Sequence, residues 1–309
     1  MASKDPTFIQ FTPAQARAYA QGRGSSYPPP LYDALLAYHT GPKNTHRDIG
    51  TGPGKVVFDL KPHFTTSIGT DTSAGMIEEA RKAASALDLS SCTFAQAAGE
   101  ECAADLPDGE GSVDVITAAM SAHWLQLPAF YASAAKALRP GGTLAIWTCT
   151  SLYAHPSMPN AARVQAVVSE LEDGALREYH NSGTALTRAA YQTLDLPWKV
   201  SPSVDEFDEG SFVRQEWDKG GIPSADGGKG PFLHDREVSV EDLGRGLASA
   251  SSVIRWREAH SEKAGGEKDP VVVAMKGVRD ALGGGEMMRD EAVTAMYCDD
   301  ERGEDVRHS

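Results

Sequence analysis

Cysteine is scarce in this chain of 309 residues: Cys92, Cys102, Cys149 and Cys298 stand far apart, with no CxxC pair. That pattern argues against a disulfide framework and a zinc ribbon, and reads as a reduced, cytoplasmic protein. The nine histidines show no HxxxH or similar spacing, so no metal is expected. Nothing approaches eighteen consecutive apolar residues, so no membrane span is expected. The first residues, Met1-Ala-Ser-Lys-Asp-Pro6, lack the apolar core of a secretory signal. Basic residues are the minority, 29 against 43 acidic ones, giving a net charge of −14. Such a field repels phosphate backbones, and no basic run interleaved with aromatics offsets it, so nucleic acid is not an expected partner.

Apolar residues make up 41% of the chain, enough for a sizeable core, and no repeat at a solenoid period is present. The first half alternates strand-like and helical stretches, the rhythm of a doubly wound α/β sheet. Helices are expected over 10–19, 31–38, from about Val56, over 74–86 and over 130–138. Strands are expected to end at Asp48-Ile49 and to run over 67–71, 92–96, 113–119 and 143–148. After Thr150, Pro and Gly clusters interrupt helical stretches such as 161–171. Ser239-Val-Glu-Asp242 reads as a capping box opening a helix, with Leu243, Leu247, Ala250 and Ile254 along one face. Residues 292–298 read as a closing strand, and the charged last ten residues as frayed.

The chemistry centres on Asp48-Ile-Gly50-Thr51-Gly52-Pro-Gly54, placed between a strand and a helix. Glycines at alternate positions let a backbone approach a ligand where a Cβ would collide. The carboxyl end of a parallel strand is where open α/β sheets bind ligands. Asp71 ends the following strand, roughly twenty residues on, where a carboxylate can accept hydrogen bonds from both hydroxyls of a ribose. That geometry suits NAD as well as S-adenosylmethionine. The dinucleotide fingerprint, however, wants a glycine where Lys55 stands, which weakens the reading as a dehydrogenase.

These residues resemble class I methyltransferases. Asp48 to Gly54 is similar to their first motif, and Gly69-Thr-Asp71-Thr72-Ser-Ala-Gly-Met76 to their second. Ala98-Gly99-Glu100, Asp114 to Ala119, His123-Trp124 and Leu138-Arg-Pro-Gly-Gly142 resemble later ones. The His-Trp pair, with Tyr19, Arg23 and Tyr27-Pro28 before it and Asp242-Leu-Gly, Ser251-Ser and Arg255-Trp256-Arg257 after it, resembles the fungal group related to trans-aconitate methyltransferase.

The resemblance implies a Rossmann-like fold with a mostly parallel, seven-stranded sheet. It implies one domain: an N-terminal helical cap over 1–40, a cofactor-binding core over 41–150 and a substrate-covering elaboration with closing strands over 151–298. S-adenosyl-L-methionine is the implied cofactor and a small molecule the implied acceptor, a carboxylic acid or secondary metabolite, with O-methylation favoured. A cofactor-binding protein of the same fold that transfers no methyl stays open as an alternative.

The implied cofactor residues are Asp48, Gly50, Thr51, Gly52, Gly54, Asp71, Thr72, Met76, Gly99, Glu100, Ala119, Tyr19 and Arg23. Two readings stand for several of them. Asp48 either orders the loop or meets the methionine amino group through water. Met76 lines the adenosine or packs a helix face, and Glu100 meets the adenine or is a solvated charge. Arg23 holds a carboxylate or lies on the surface. Trp124 is a pocket wall by its position, whereas Trp256 reads as core. His123 is the candidate catalytic residue: it lines the acceptor pocket, serves there as general base, or is merely packed. Two departures from the family pattern stand out: Thr45-His46-Arg47 make the first strand polar, so it must be short or carry its charge to a partner, and Thr51 replaces a usual cysteine.

Overall fold

A computed structural model describes residues 7, 11–22, 26–224, 237–283, 292–294 and 296–303. The chain enters through α1 (Pro13–Gly22) and α2 (Pro29–Tyr38). The first starts later than its periodicity suggests, because Thr12 and Gln15 cap each other: Thr12 N–H donates to Gln15 Oε1 at 2.9 Å and Gln15 N–H to Thr12 Oγ1 at 3.3 Å. A proline then occupies the first helical position.

Five parallel strands follow, β1 (Thr45–Ile49), β2 (Thr66–Asp71), β3 (Cys92–Gln96), β4 (Val113–Ala119) and β5 (Leu138–Trp147). Between them lie α3 (Lys55–Leu60), α4 (Ala74–Ala86) and α5 (Leu127–Ala137). The strand order is β3-β2-β1-β4-β5, so the connections leaving β1 and β4 part in opposite directions and open a crevice at the sheet's carboxyl edge. Asp48 sits between Gly69 of β2 and Thr117 of β4 in the register.

All five residues of β1 are buried although four of them are polar, and each of the four is anchored by a partner outside the strand. The backbone N–H groups of Asn44 and Thr45 both donate to Asp114 Oδ2 at 2.7 Å, and Asp114 Oδ1 pairs with Arg139 Nε at 2.5 Å. His46 Nε2 lies 2.9 Å from Thr117 Oγ1, and Arg47 Nη1 donates to the carbonyl of Ala104. Thr117 Oγ1 in turn donates to Asp48 Oδ1 at 2.6 Å. Burying such groups is tolerable only when they are satisfied. Apolar packing is supplied around them: Leu31, Tyr32 and Leu35 of α2 close on Val56, Leu60, Val115 and Trp147.

The second half contains β6 (Cys149–Ala154), α6 (Ala161–Ser169), α7 (Ser182–Arg188), β7 (Arg214–Trp217) and β8 (Glu237–Ser239). It ends with α8 (Val240–Ala248), α9 (Ser251–Ala259), α10 (Pro270–Ala281), β9 (Ala292–Thr294) and β10 (Met296–Gly303). Its own core gathers Val164, Val168, Leu171, Leu243, Leu247, Val271, Met275 and Val278.

Three expectations are corrected here. The main sheet has five strands among the described residues, not seven, because β10 pairs antiparallel with β6 and β7 in a separate three-stranded sheet and β9 pairs with β8. Strand β10 runs on to Gly303, past the expected boundary of the tail. The capping serine does open α8, with Ser239 Oγ accepting from Asp242 N–H at 3.0 Å. The single apolar face is nonetheless split between α8 and α9, because Ser249 Oγ donates to the carbonyl of Gly246 and Ala250 turns extended.

The anchoring of β1 gives a direct test. Asp114→Ala strips two backbone N–H groups and the Arg139 guanidinium of one buried acceptor, and is expected to cost about 3 kcal/mol. Urea denaturation measures it, and a loss below about 1 kcal/mol would show that β1 does not depend on this carboxylate.

Candidate functional site

The loop after β1 turns on three glycines in the left-handed region, Gly50 at φ 68°, Gly52 at 53° and Gly54 at 91°. A Cβ on Gly50 would strike Ser121 Cβ at 2.5 Å, so the chain after β4 presses directly on the loop. A Cβ on Gly52 would meet no protein atom within 4 Å, because that position faces the hollow. The loop is tied to the neighbouring strand by Asp71. Gly52 N–H donates to Asp71 Oδ2 at 2.9 Å and Ser73 N–H to Asp71 Oδ1 at 2.8 Å. Burial raises the Asp71 pKa while these backbone donors hold it down. The backbone N–H of Thr72 is a third donor to this carboxylate, which when ionised has about four lone-pair directions and so keeps one for a ligand.

Above this edge lies a cavity of about 380 Å³. It is lined by ten of the residues singled out in the sequence: Gly50, Gly52, Asp71, Thr72 and Met76 on one side, Gly99, Glu100, His123 and Trp124 on the next, and Tyr19 from α1. Lys55, the first residue of α3, also faces it and stands 6.0 Å from the Tyr27 ring centre. Glu100 Oε1 accepts the backbone N–H of Gln126 at 2.8 Å. Met76 both lines the cavity and is buried in the core side of α4.

Four candidates lie elsewhere. Asp48 and Thr51 are buried beneath the loop, and Gly54 sits at the start of α3 against Phe58 and Phe94. Ala119 packs toward the cluster around Leu31 and Trp147. Arg23 falls outside the described residues. Trp256 belongs to the second core, stacked on His260 with ring centres 4.6 Å apart.

His123 sits on a short turn, residues Ala122–Trp124, beside Trp124 with ring centres 4.7 Å apart. Its Nδ1 lies 2.6 Å from Tyr191 Oη. Tyr191 is buried with a left-handed backbone at φ 54°, its phenol pKa is pushed up by burial, and it also hydrogen-bonds Thr148. Thr148 Oγ1 donates to Met120 Sδ at 3.4 Å. Met120, at the end of β4, is itself left-handed at φ 52° and lines the cavity. Strained backbone of this kind collects at functional sites.

Sequence reasoning missed Met120 and Tyr191, and also the far wall, where Ser151, Glu172, His180, Thr184 and Arg188 face the same cavity. The position of Met120 next to a strand end was the one local signal. The others meet only through the fold.

Comparison with known proteins bears on the family and the fold. A methyltransferase-domain family matches residues 47–146. A Saccharomyces cerevisiae protein described as a probable S-adenosylmethionine-dependent methyltransferase is 33% identical over 123 residues, which cover 40% of this chain and 41% of that protein. A Claviceps purpurea methyltransferase is 28% identical over 194 residues, covering 62% of this chain and 54% of that one. Thus the chain spans only about half of these relatives or less. A solved structure from Anaeromyxobacter dehalogenans, described as a candidate type II methyltransferase, superposes with a TM-score of 0.64 at 22% identity, over 90% of this chain and 96% of that one. It shares the fold.

The buried carboxyl beneath the loop has a signature in solution. Burial lifts the Asp48 pKa from 3.8 to about 7, whereas burial drops that of His46 to about 3. A carboxyl that binds its proton more tightly when folded contributes most at low pH, and that contribution fades as pH rises through the folded value. Relative to Asp48→Asn, which has no proton to lose, the wild type is expected to lose stability as pH climbs from about 4 to about 7, by up to about 1.4 kcal/mol per pH unit. Urea midpoints across that range measure it, and a constant difference would mean that Asp48 is ionised throughout.

Proposed function

We propose that this chain, whose residues 47–146 match a methyltransferase-domain family, is a class I methyltransferase that transfers a methyl group to a small-molecule acceptor in the cytoplasm. Its cofactor is S-adenosyl-L-methionine. The observation that carries the reading is the Asp71 carboxylate, fixed by the loop's own Gly52 N–H at the rim of a cavity whose next wall holds His123. The three described cysteines that are buried and unbridged, Cys92, Cys102 and Cys149, support a reducing compartment.

The residues present suit the cofactor. Asp71 offers a carboxylate acceptor to a ribose diol, and Gly52 leaves open the space a side chain would fill. Thr72, Met76, Gly99 and Glu100 lie beside Asp71 on the adenosine side, and Tyr19 brings α1 over the opening as a cap against water. The bound cofactor supplies a methyl already activated by its sulfonium, so the protein's task is alignment and exclusion of water. O-methylation is the favoured outcome, with the fungal trans-aconitate methyltransferase group as the likeness that suggests it. Residues 1–40 act as the cap and 151–298 as the acceptor-covering part.

The hold of Tyr191 on His123 and the place of His123 in the cavity wall support a position beside the acceptor. Tyr191 Oη is hydrogen-bonded to Thr148, whose hydroxyl also reaches Met120 Sδ at 3.4 Å. Tyr191 Oη and His123 Nδ1 stand 2.6 Å apart, and in the tautomer that carries its proton on Nδ1 the ring offers Nε2 as the base. An acceptor carrying a proton finds a base there; a carboxylate acceptor needs none.

Calorimetry separates the cofactors: saturable binding of S-adenosylmethionine and S-adenosylhomocysteine is expected, and none of NAD at the same concentrations. Asp71→Ala is expected to weaken S-adenosylmethionine binding at least tenfold, since hydrogen bonds to a charged acceptor contribute about 1.5–3 kcal/mol. Unchanged affinity in a folded Asp71→Ala protein would sink the ribose assignment. For His123→Ala, turnover is expected to fall while S-adenosylmethionine affinity stays within about threefold. A base role requires a loss of about a hundredfold, partly recovered at high pH. Wild-type turnover in this variant would remove His123 from the site.

A further inference from the structure

The far wall of the cavity carries an ion-pair cluster that the cofactor does not account for. Glu172, on the turn after α6, is half-buried, and its Oε2 accepts from Ser151 Oγ at 3.0 Å and from Arg188 Nη1 at 3.1 Å. Arg188 Nη2 is held in turn by Asp173 Oδ1 at 2.5 Å. Glu172 Oε1 makes no hydrogen bond among the described residues, yet Glu172 lines the cavity with Ser151 and Arg188. These three reach the wall from β6, from the turn after α6 and from α7, so the cluster is assembled by the second half of the chain alone.

The charge balance of the whole lining points the same way. Its described acids are Asp71, Glu100, Glu172 and Asp242, and its described cations are Lys55 and Arg188. Arg188 already answers two carboxylates, so a carboxylate acceptor would compete for a guanidinium in use and face Glu172 across a partly dry cavity. A hydroxyl does the opposite and donates to the open oxygen. Around this pole the wall is apolar, with Leu152, Leu171, Leu176, Leu243 and Leu247.

We propose that Glu172, set by Ser151 and Arg188, is the polar end of an acceptor subsite that takes an apolar, ring-sized molecule through its hydroxyl and discriminates against carboxylates. The proposal rests on the reading above that the Asp71 side of the cavity holds the cofactor. It narrows the acceptor from an acid or secondary metabolite to a hydroxylated apolar compound, and it makes Glu172 a specificity residue.

The test uses 1-naphthol and 1-naphthoate, one ring system with a hydroxyl or a carboxylate, titrated by calorimetry at pH 7 into the full chain saturated with S-adenosylhomocysteine. Saturation fills the cofactor side and leaves the far wall as the place to bind. Naphthol is expected to bind at least tenfold more tightly than naphthoate. In Glu172→Gln, which keeps the shape, removes the charge and releases Arg188, the ratio is expected to fall below threefold. Equal or tighter binding of naphthoate by the wild type overturns the proposal, as does a failure of both probes to bind saturably, or an unchanged ratio in a Glu172→Gln protein with wild-type melting behaviour. Failure of S-adenosylhomocysteine itself to bind sinks the cofactor reading and this proposal with it, whereas the other outcomes strike the subsite alone.

Discussion

The hydrogen bond from Gly52 N–H to Asp71 Oδ2 joins the loop leaving β1 to the tip of β2, and the cavity takes its shape from that link. A loop with three left-handed glycines has little intrinsic reason to hold one conformation, since glycine gives up more conformational freedom on folding than any other residue. A charged acceptor from the adjacent strand, itself capped by Ser73 N–H, supplies the restraint. The same carboxylate then keeps a lone-pair direction for a ligand, so the group that orders the loop also presents its chemistry. Gly50 closes the arrangement from the other side, where contact with Ser121 sets the loop against the chain that leads to His123.

Beneath this link the sheet solves a harder problem. A central parallel strand is usually a run of apolar residues, yet β1 reads Thr-His-Arg-Asp-Ile and is buried throughout. Residues far away in sequence answer most of its polar groups: Asp114 the backbone of Asn44 and Thr45, Thr117 His46 Nε2 and Asp48, and Ala104 Arg47 Nη1, while His46 Nδ1 and Arg47 Nε keep no hydrogen-bond partner among the described residues. The histidine is kept neutral and the aspartic acid held near its proton by the same dry surroundings, which penalise both charges. One threonine hydroxyl serves both, donating to the acid and meeting the imidazole nitrogen.

This explains which parts were legible in the sequence. Strands β3 and β4 and helix α4 fall where local pattern puts them, because their burial follows from their own periodicity and bounding turns. Strand β1 could be placed only by the glycine loop after it, since its partners lie about sixty to seventy residues away. The side of the cavity at the sheet's carboxyl edge was similarly readable, as Gly50, Gly52, Asp71, Thr72 and Met76 are crowded into two short stretches. Its far wall was not, because Ser151, Glu172 and Arg188 have no shared spacing and meet only when β6, the turn after α6 and α7 pack together. The stretch expected as a closing strand is extended, but its strands β9 and β10 pair with β6, β7 and β8 and add nothing to the five-stranded parallel sheet. A β-rich stretch near a chain end announces its extended backbone but not which edge it will join, and here β6 and β7 offered the edges.

The division between legible and illegible walls is also a division of labour. The side built from β1, β2 and β4 is bound by backbone geometry, left-handed glycines and strand register, and a change there disturbs the loop, Asp71 or the buried network together. The side built from residues after Thr148 is held by side-chain pairs over a separate apolar core, and Glu172 or Arg188 can change without touching the link between Gly52 and Asp71. A fold with one wall under tight backbone constraint and the other free to vary keeps its cofactor chemistry while its acceptor changes. On the proposed reading, acceptor specificity would rest on the ion pair, the leucines around it and the imidazole of His123.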